Sequence, residues 1–220
     1  MTIDTRNNAT LPTLMALCLG IGAMFSVTTQ ATEASQTMAS KPASAATLSR
    51  QQQTIPLIAA FMATSDMPNL NTALNQGLDA GLTISETREI LVQLYAYVGF
   101  PRSLNALNEL MTVVQARKKR GIEDAPGREP SRPTPIGDEL LAAGTANQTR
   151  ISGAPVKGPV FEFAPVINRF LQTHLFGDIF ERDNLDWQSR ELATVGALAA
   201  TPGVEPQLRA HMAVSYTHLR

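Results

Sequence analysis

The 220-residue chain has one cysteine, Cys18. It lies inside an apolar N-terminal run, so removal of that run leaves a mature protein without a thiol. Disulfides, thiolate zinc sites and cysteine nucleophiles are then excluded. Charge is scarce too: 17% of residues are charged and the formal net charge is -1. Neither nucleic acid nor an anionic membrane surface is favoured as a partner. Strand-type alternation is essentially missing. The apolar N-terminal run falls short of the roughly 20 residues of a spanning helix, so no stable membrane insertion is expected once it is removed. No phosphate-binding loop, dinucleotide glycine pattern, serine nucleophile elbow or metal-spaced histidine cluster appears, and neither cofactor nor metal is expected.

What is present is a substantial apolar fraction, 44%. Residues 1–31 read as a secretory signal. The run Leu14–Val27 follows a polar segment carrying Arg6, and small residues offer cleavage after Ala31 or Ala34. This places the mature protein in the periplasm or outside the cell. Residues 32–49, rich in Ala, Ser and Thr, read as a flexible linker.

Helical spacing then dominates, and the fold class is all-α. From Ile55 the apolar residues Leu57, Ile58, Phe61 and Met62 keep helical spacing. Ser65-Asp66-Met67-Pro68 breaks and restarts the helix. Leu70, Ala73, Leu74 and Leu78 share a face, and Gly81 suits a C-terminal cap. Thr83 and Glu86 form a capping box, with Ser85 as the rival cap. Ile90, Leu91, Leu94, Tyr95 and Val98 stripe the helix that follows, as far as Gly99. Another helix, residues 102–120, is expected to bury Leu104, Leu107, Leu110, Met111 and Val114. Its closing cations Arg117-Lys118-Lys119-Arg120 oppose the helix dipole. Residues 122–160 form a Pro- and Gly-rich connection with a short helical piece at 137–143. Apolar periodicity returns in 161–180, and Asp186 is the expected N-cap of the helix holding Glu191.

Laying Leu48 on Leu185 puts two helix–turn–helix patterns in register, which divides the chain into a first domain, 50–121, and a second, 161–220. Gln51 meets Gln188, Ile58 meets Val195, and Ala63-Thr64 meets Ala200-Thr201. Glu191 falls on Thr54 and, with one residue of slack in the second helix, His211 falls on Ala73. The second copy thus holds two proton-transferring residues where the first has none. It also stops early. SYTHLR, residues 215–220, stands where a Gly-Leu-Thr helix like that at Gly81 belongs, so the second domain is expected to be truncated, and His218 receives no role.

The segments DAGLTISETREILVQLYAYVGFPRSLNAL and LDWQSRELATVGALAATPGVEPQLRAHM resemble the carboxymuconolactone decarboxylase family, which includes alkylhydroperoxidase D-like proteins. The likeness covers about 51–121 and 161–214. It implies an alkylhydroperoxidase D-like helical fold, two tandem domains and assembly into homo-oligomers. Peroxidase-type members carry a C-x-x-C pair before a His, with a Glu upstream. Glu191 and His211 match the Glu and His, while Gln207-Leu208-Arg209-Ala210 replaces the thiols. The decarboxylase branch needs no thiol, and its pattern is the closer one.

The expected activity is therefore lyase-type proton transfer, decarboxylation or lactone isomerisation, on a small carboxylate or lactone. His211 would be the acid/base and Glu191 its partner. Arg190 or Arg209 would hold substrate carboxylates. Two other readings stand beside it: peroxiredoxin-type antioxidant activity, which lacks its cysteine, and a non-catalytic oligomeric helical module. The bland reading of His211 is a histidine with a local hydrogen bond, and that of Glu191 a first-turn carboxylate at the positive helix end. One of Tyr95 and Tyr97 is expected in the core, His174 is expected buried, Trp187 is a core or oligomer anchor, and Arg102 is a surface residue.

Overall fold

Side chains that satisfy helix ends set the element boundaries. The computed structural model describes residues 48–218, with side chains through Val214. The expected signal segment and residues 32–47 of the linker lie outside the described residues. Helix α1 (Arg50–Thr64) starts at Ser49, whose hydroxyl accepts from the Gln52 amide while the Gln52 side chain accepts from the Ser49 amide. It ends at Ser65 in a left-handed conformation, φ 58°. Asp66 caps α2 (Met67–Asp79). Thr83 and Glu86 form the expected capping box on α3 (Ile84–Gln93), and Ser85 instead donates its hydroxyl to the Arg128 carbonyl. A step at Leu94 separates α3 from the single turn α4 (Tyr95–Val98). Gly99, at φ 88°, then turns the chain into α5 (Phe100–Lys119).

An irregular stretch lies back over α3, where Ile84 and Ser85 donate their amides to the carbonyls of Ala125 and Pro126. Helix α6 (Gly137–Ser152) follows, then the short α7 (Pro159–Phe163) and α8 (Pro165–Phe170). Helix α8 runs directly into a π-helical segment, Leu171–Ile179. Asp186 caps α9 (Trp187–Ala199) by accepting from the Ser189 amide at 2.8 Å, and α10 (Glu205–His218) closes the described chain. Every described element is helical, with no strand among the described residues.

Two apolar clusters hold these helices. The larger joins Ile55, Ile58 and Met62 of α1 to Leu70 and Leu74 of α2, Ile90 and Leu91 of α3, and Leu110 of α5. Leu185, Ala193 and Ala197 belong to it as well, so α9 sits in the same core as the first five helices. Each large aliphatic side chain buried there contributes about 1.5–3 kcal/mol of transfer free energy. Helices α1 and α9 approach almost to backbone contact. A Cβ at Gly196 would stand 2.5 Å from the Pro56 carbonyl oxygen. The second cluster is Ile151 with Leu175, Phe176, Ile179 and Phe180. There α6 crosses the π-helical segment at Gly144, whose missing Cβ leaves room for the Gln172 carbonyl.

Three expectations change. Helix α5 buries Ser103, Ala106, Leu110, Val113 and Arg117, and it leaves Leu104 and Met111 exposed. Its inward face is partly polar: Ser103 donates to the Leu91 carbonyl at 2.8 Å, and Arg117 is enclosed by Asp124, Asp79 and Asn75. Arg117 is thus an internal ion-pair centre rather than a solvated end charge. Second, the short helical piece at 137–143 extends to Ser152, because Gly144 marks a helix crossing and not a break. Third, His174 is not buried. It lies half exposed on the π-helical segment, its Nδ1 2.7 Å from Asp178 and its ring against Tyr95.

Candidate active site

The second turn of α9 and the middle of α10 meet at one hydrogen-bonded carboxylate–imidazole pair. Glu191 enters α9 five residues after the Asp186 cap and is almost fully buried. His211, twenty residues later on α10, places Nδ1 at 2.8 and 2.9 Å from the two carboxylate oxygens of Glu191. The His211 side chain keeps 22% of its surface accessible, against 2% for Glu191. The carboxylate therefore sits behind the imidazole. A proton on Nδ1, donated to Glu191, fixes the ring orientation.

Tyr97 of α4 completes the wall. Its ring meets the His211 ring edge-on, with centroids 5.7 Å apart. Burial pushes the Tyr97 hydroxyl above its ordinary pKa, and the nearby Glu191 charge pushes it further, against a smaller opposing effect of Thr194. Tyr97 is therefore a neutral phenol beside the pair. It also lines an open cleft of about 450 Å³ with Thr64, Val98, Arg102 and Thr201. Arg102 is held there by donating to the Val98 carbonyl at 3.0 Å. Among the described residues no three His, Cys, Asp or Glu side chains gather as metal ligands would, and no helix is long and apolar enough to cross a membrane.

Of the four residues singled out in the sequence, Glu191 and His211 come together and the two arginines do not join them. Arg190 is fully buried. Its guanidinium donates to Glu89 Oε1 at 3.0 Å, to Gln93 Oε1 at 3.0 Å and to the Arg182 carbonyl at 2.6 Å. The expectation that it holds a substrate carboxylate is corrected: its charge is already engaged by Glu89 inside the core. Burial disfavours the Arg190 charge and lowers its pKa, and Glu89 opposes this. Burial pulls Glu89 upward, but the Arg182 hydrogen bond and the Arg190 charge outweigh it and hold the carboxyl below its ordinary value. Arg182 donates two hydrogen bonds from Nε and one from Nη2 to Glu89, at 2.9–3.1 Å. Gln93 closes the network by donating to the Arg190 carbonyl and to Thr194. The network anchors the backbone beside Glu191 from behind.

Arg209 is exposed. Two residues before His211 on an α-helix, it lies about 200° around the axis, away from the imidazole. The cation beside the Tyr97 wall is instead Arg102. Its sequence signal was slight: a helix-start arginine after Gly99-Phe100-Pro101, four residues beyond a cleft-lining Val98. Tyr97 was visible only as a core candidate, because nothing in one sequence says that it faces His211.

No protein-family model matches the chain, and no curated protein matches it.

Proposed function

We propose that the chain is an exported, carboxymuconolactone decarboxylase-like lyase. It would act by proton transfer on a small carboxylate or lactone. The observation that carries this reading is the buried Glu191 carboxylate hydrogen-bonded to Nδ1 of a partly accessible His211. A buried carboxylate on one ring nitrogen orients the imidazole, as general acid–base chemistry requires.

In the decarboxylation the C–C bond to the leaving carboxylate breaks. Its electron pair passes into the substrate as a dienolate, and carbon dioxide departs. His211 delivers a proton to the dienolate carbon. The cleft that Tyr97 shares with Arg102 has neither His211 nor Glu191 among its lining residues, so Arg102 is given no part in this step. Lactone isomerisation needs the same residues, with His211 removing a proton from one carbon and returning it to another.

The alkylhydroperoxidase D-like fold and the tandem-repeat reading belong to this proposal. They are supported by the match of Ser49 and Asp186, which occupy equivalent register positions and cap α1 and α9 respectively.

A panel of lactone acids, followed by carbon dioxide release and loss of ultraviolet absorbance, tests the assignment. His211→Ala should lose about 10²–10⁴-fold in kcat, the usual contribution of a positioned acid/base, with helicity unchanged. Glu191→Gln keeps the shape and removes the charge, so a smaller loss is expected. Equal turnover of wild type and His211→Ala would remove His211 from the mechanism.

A further inference from the structure

The Glu191–His211 pair is short of a hydrogen-bond donor. Glu191 is 1% exposed. Among the described residues, the donor that reaches its carboxylate is His211 Nδ1, shared between both oxygens at 2.8 and 2.9 Å. A carboxylate offers about four acceptor positions, and burying one with a single donor is costly. On α4 stands the complementary orphan. The Tyr97 hydroxyl is buried and has no hydrogen-bond partner among the described residues, although a buried phenol usually finds one. Its ring already touches the pair, edge-on to the His211 ring with centroids 5.7 Å apart.

Two groups of α9 compete for the Tyr97 proton. Thr194 lies three residues after Glu191, and both act on the hydroxyl. The Thr194 hydroxyl is already engaged: it donates to the Arg190 carbonyl at 3.1 Å and accepts from Gln93 at 3.0 Å. Glu191 is charged and short of donors, and a charge-assisted hydrogen bond is roughly twice as strong as a neutral one. Arg190 also acts on the hydroxyl, but Glu89 of α3 engages its guanidinium at 3.0 Å. Burial keeps the phenol neutral, so it has a proton to share.

We propose that Tyr97 is a positioning residue of the site. Its hydroxyl is the second donor to Glu191 and takes the carboxylate oxygen that the imidazole releases, so the carboxylate keeps its place while His211 gains and loses its proton. The role in turnover rests on the acid/base reading of His211; the hydrogen bond itself does not.

An NMR pH titration of the His211 imidazole in the ligand-free protein decides it, with the signal assigned by its loss in His211→Ala. Tyr97→Phe leaves His211 as the donor to Glu191 and strengthens that pair. The imidazole should then titrate about half a pH unit to one pH unit higher, with unchanged helical circular dichroism. In a Glu191→Gln background, Tyr97→Phe should leave the titration unmoved, because the two groups act as one coupled pair. An unmoved or lowered titration in Tyr97→Phe overturns the proposal. So does an upward shift that persists beside Glu191→Gln, since the hydroxyl then serves another acceptor. On the lactone-acid panel, Tyr97→Phe should lower kcat by about tenfold with KM unchanged; an unchanged kcat overturns the role in turnover. If the wild type turns over no member of the panel while the titration shifts as stated, the lyase reading fails and the Tyr97–Glu191 bond stands.

Discussion

Arg190 and Glu191 are sequence neighbours with opposite surroundings. One helical step separates them, about 100° around α9. That step sends Arg190 into the α3 carboxylate and Glu191 to His211. Substituting Glu89 should therefore damage the fold rather than the chemistry. Glu89→Ala leaves Arg190 charged and buried without its counter-ion, which costs about 3–5 kcal/mol. Urea denaturation at pH 7 would read this as a lower midpoint with little change in slope. The same carboxylate sets an acid limit. Glu89 is held below its ordinary pKa of 4.5 in the folded protein, so between the folded and unfolded values the unfolded chain binds more protons, and stability rises with pH. The contribution is present above the unfolded value and is lost as pH falls through the folded one. Urea midpoints from pH 7 down to pH 3 should fall for the wild type. They should fall less steeply for Glu89→Gln, which starts lower and has no carboxylate there to protonate.

At the level of helices, two glycines govern how closely partners pack. Gly196→Ala would gain about 1 kcal/mol in helix propensity. It would also drive a methyl group into the backbone at Pro56, and overpacking of that kind costs about 1–3 kcal/mol. The outcome expected is a net loss of stability, with a thermal midpoint below that of wild type. A midpoint at or above wild type would mean that α1 and α9 shift apart freely. Much of this level was readable from residues. The Ser65–Pro68 break, the Thr83–Glu86 box and the Asp186 cap each rest on local chemistry, and each is where the sequence placed it. What stayed hidden depended on partners distant in sequence. The inner face of α5 looked like its outer face, because Ser103 and Arg117 become buried only through Leu91, Asp124 and Asp79. The helical piece at 137–143 looked short because the partner that crosses it at Gly144 lies in the π-helical segment. Glu191 and His211 were legible as ionisable residues on successive helices. Arg190 was misjudged because its partner, Glu89, is 101 residues away.

For the molecule as a whole, the expected division at residue 121 meets a shared core. Leu185, Ala193 and Ala197 pack with the residues of α1–α5, and residues 48–218 fall in one compact unit. A chain cut after Gly121 should therefore keep helical far-ultraviolet circular dichroism, lose near-ultraviolet signal and bind a hydrophobic dye, the signature of lost side-chain packing. A cooperative thermal transition in that fragment would show instead that the first five helices stand alone.

The Glu89–Arg190 pair also fixes an order of events during synthesis. When α3 leaves the ribosome, Arg190 does not yet exist, and about a hundred residues must still be translated. At 5–20 residues per second that is on the order of 5–20 seconds. For that interval the Glu89 carboxylate must keep its water, since burying it alone is costly. The face of α3 that ends in the core stays wet, and α1 lacks the helix that crosses it at Pro56. The packing of a nascent chain held open in this way closes only when α9 arrives with the missing guanidinium.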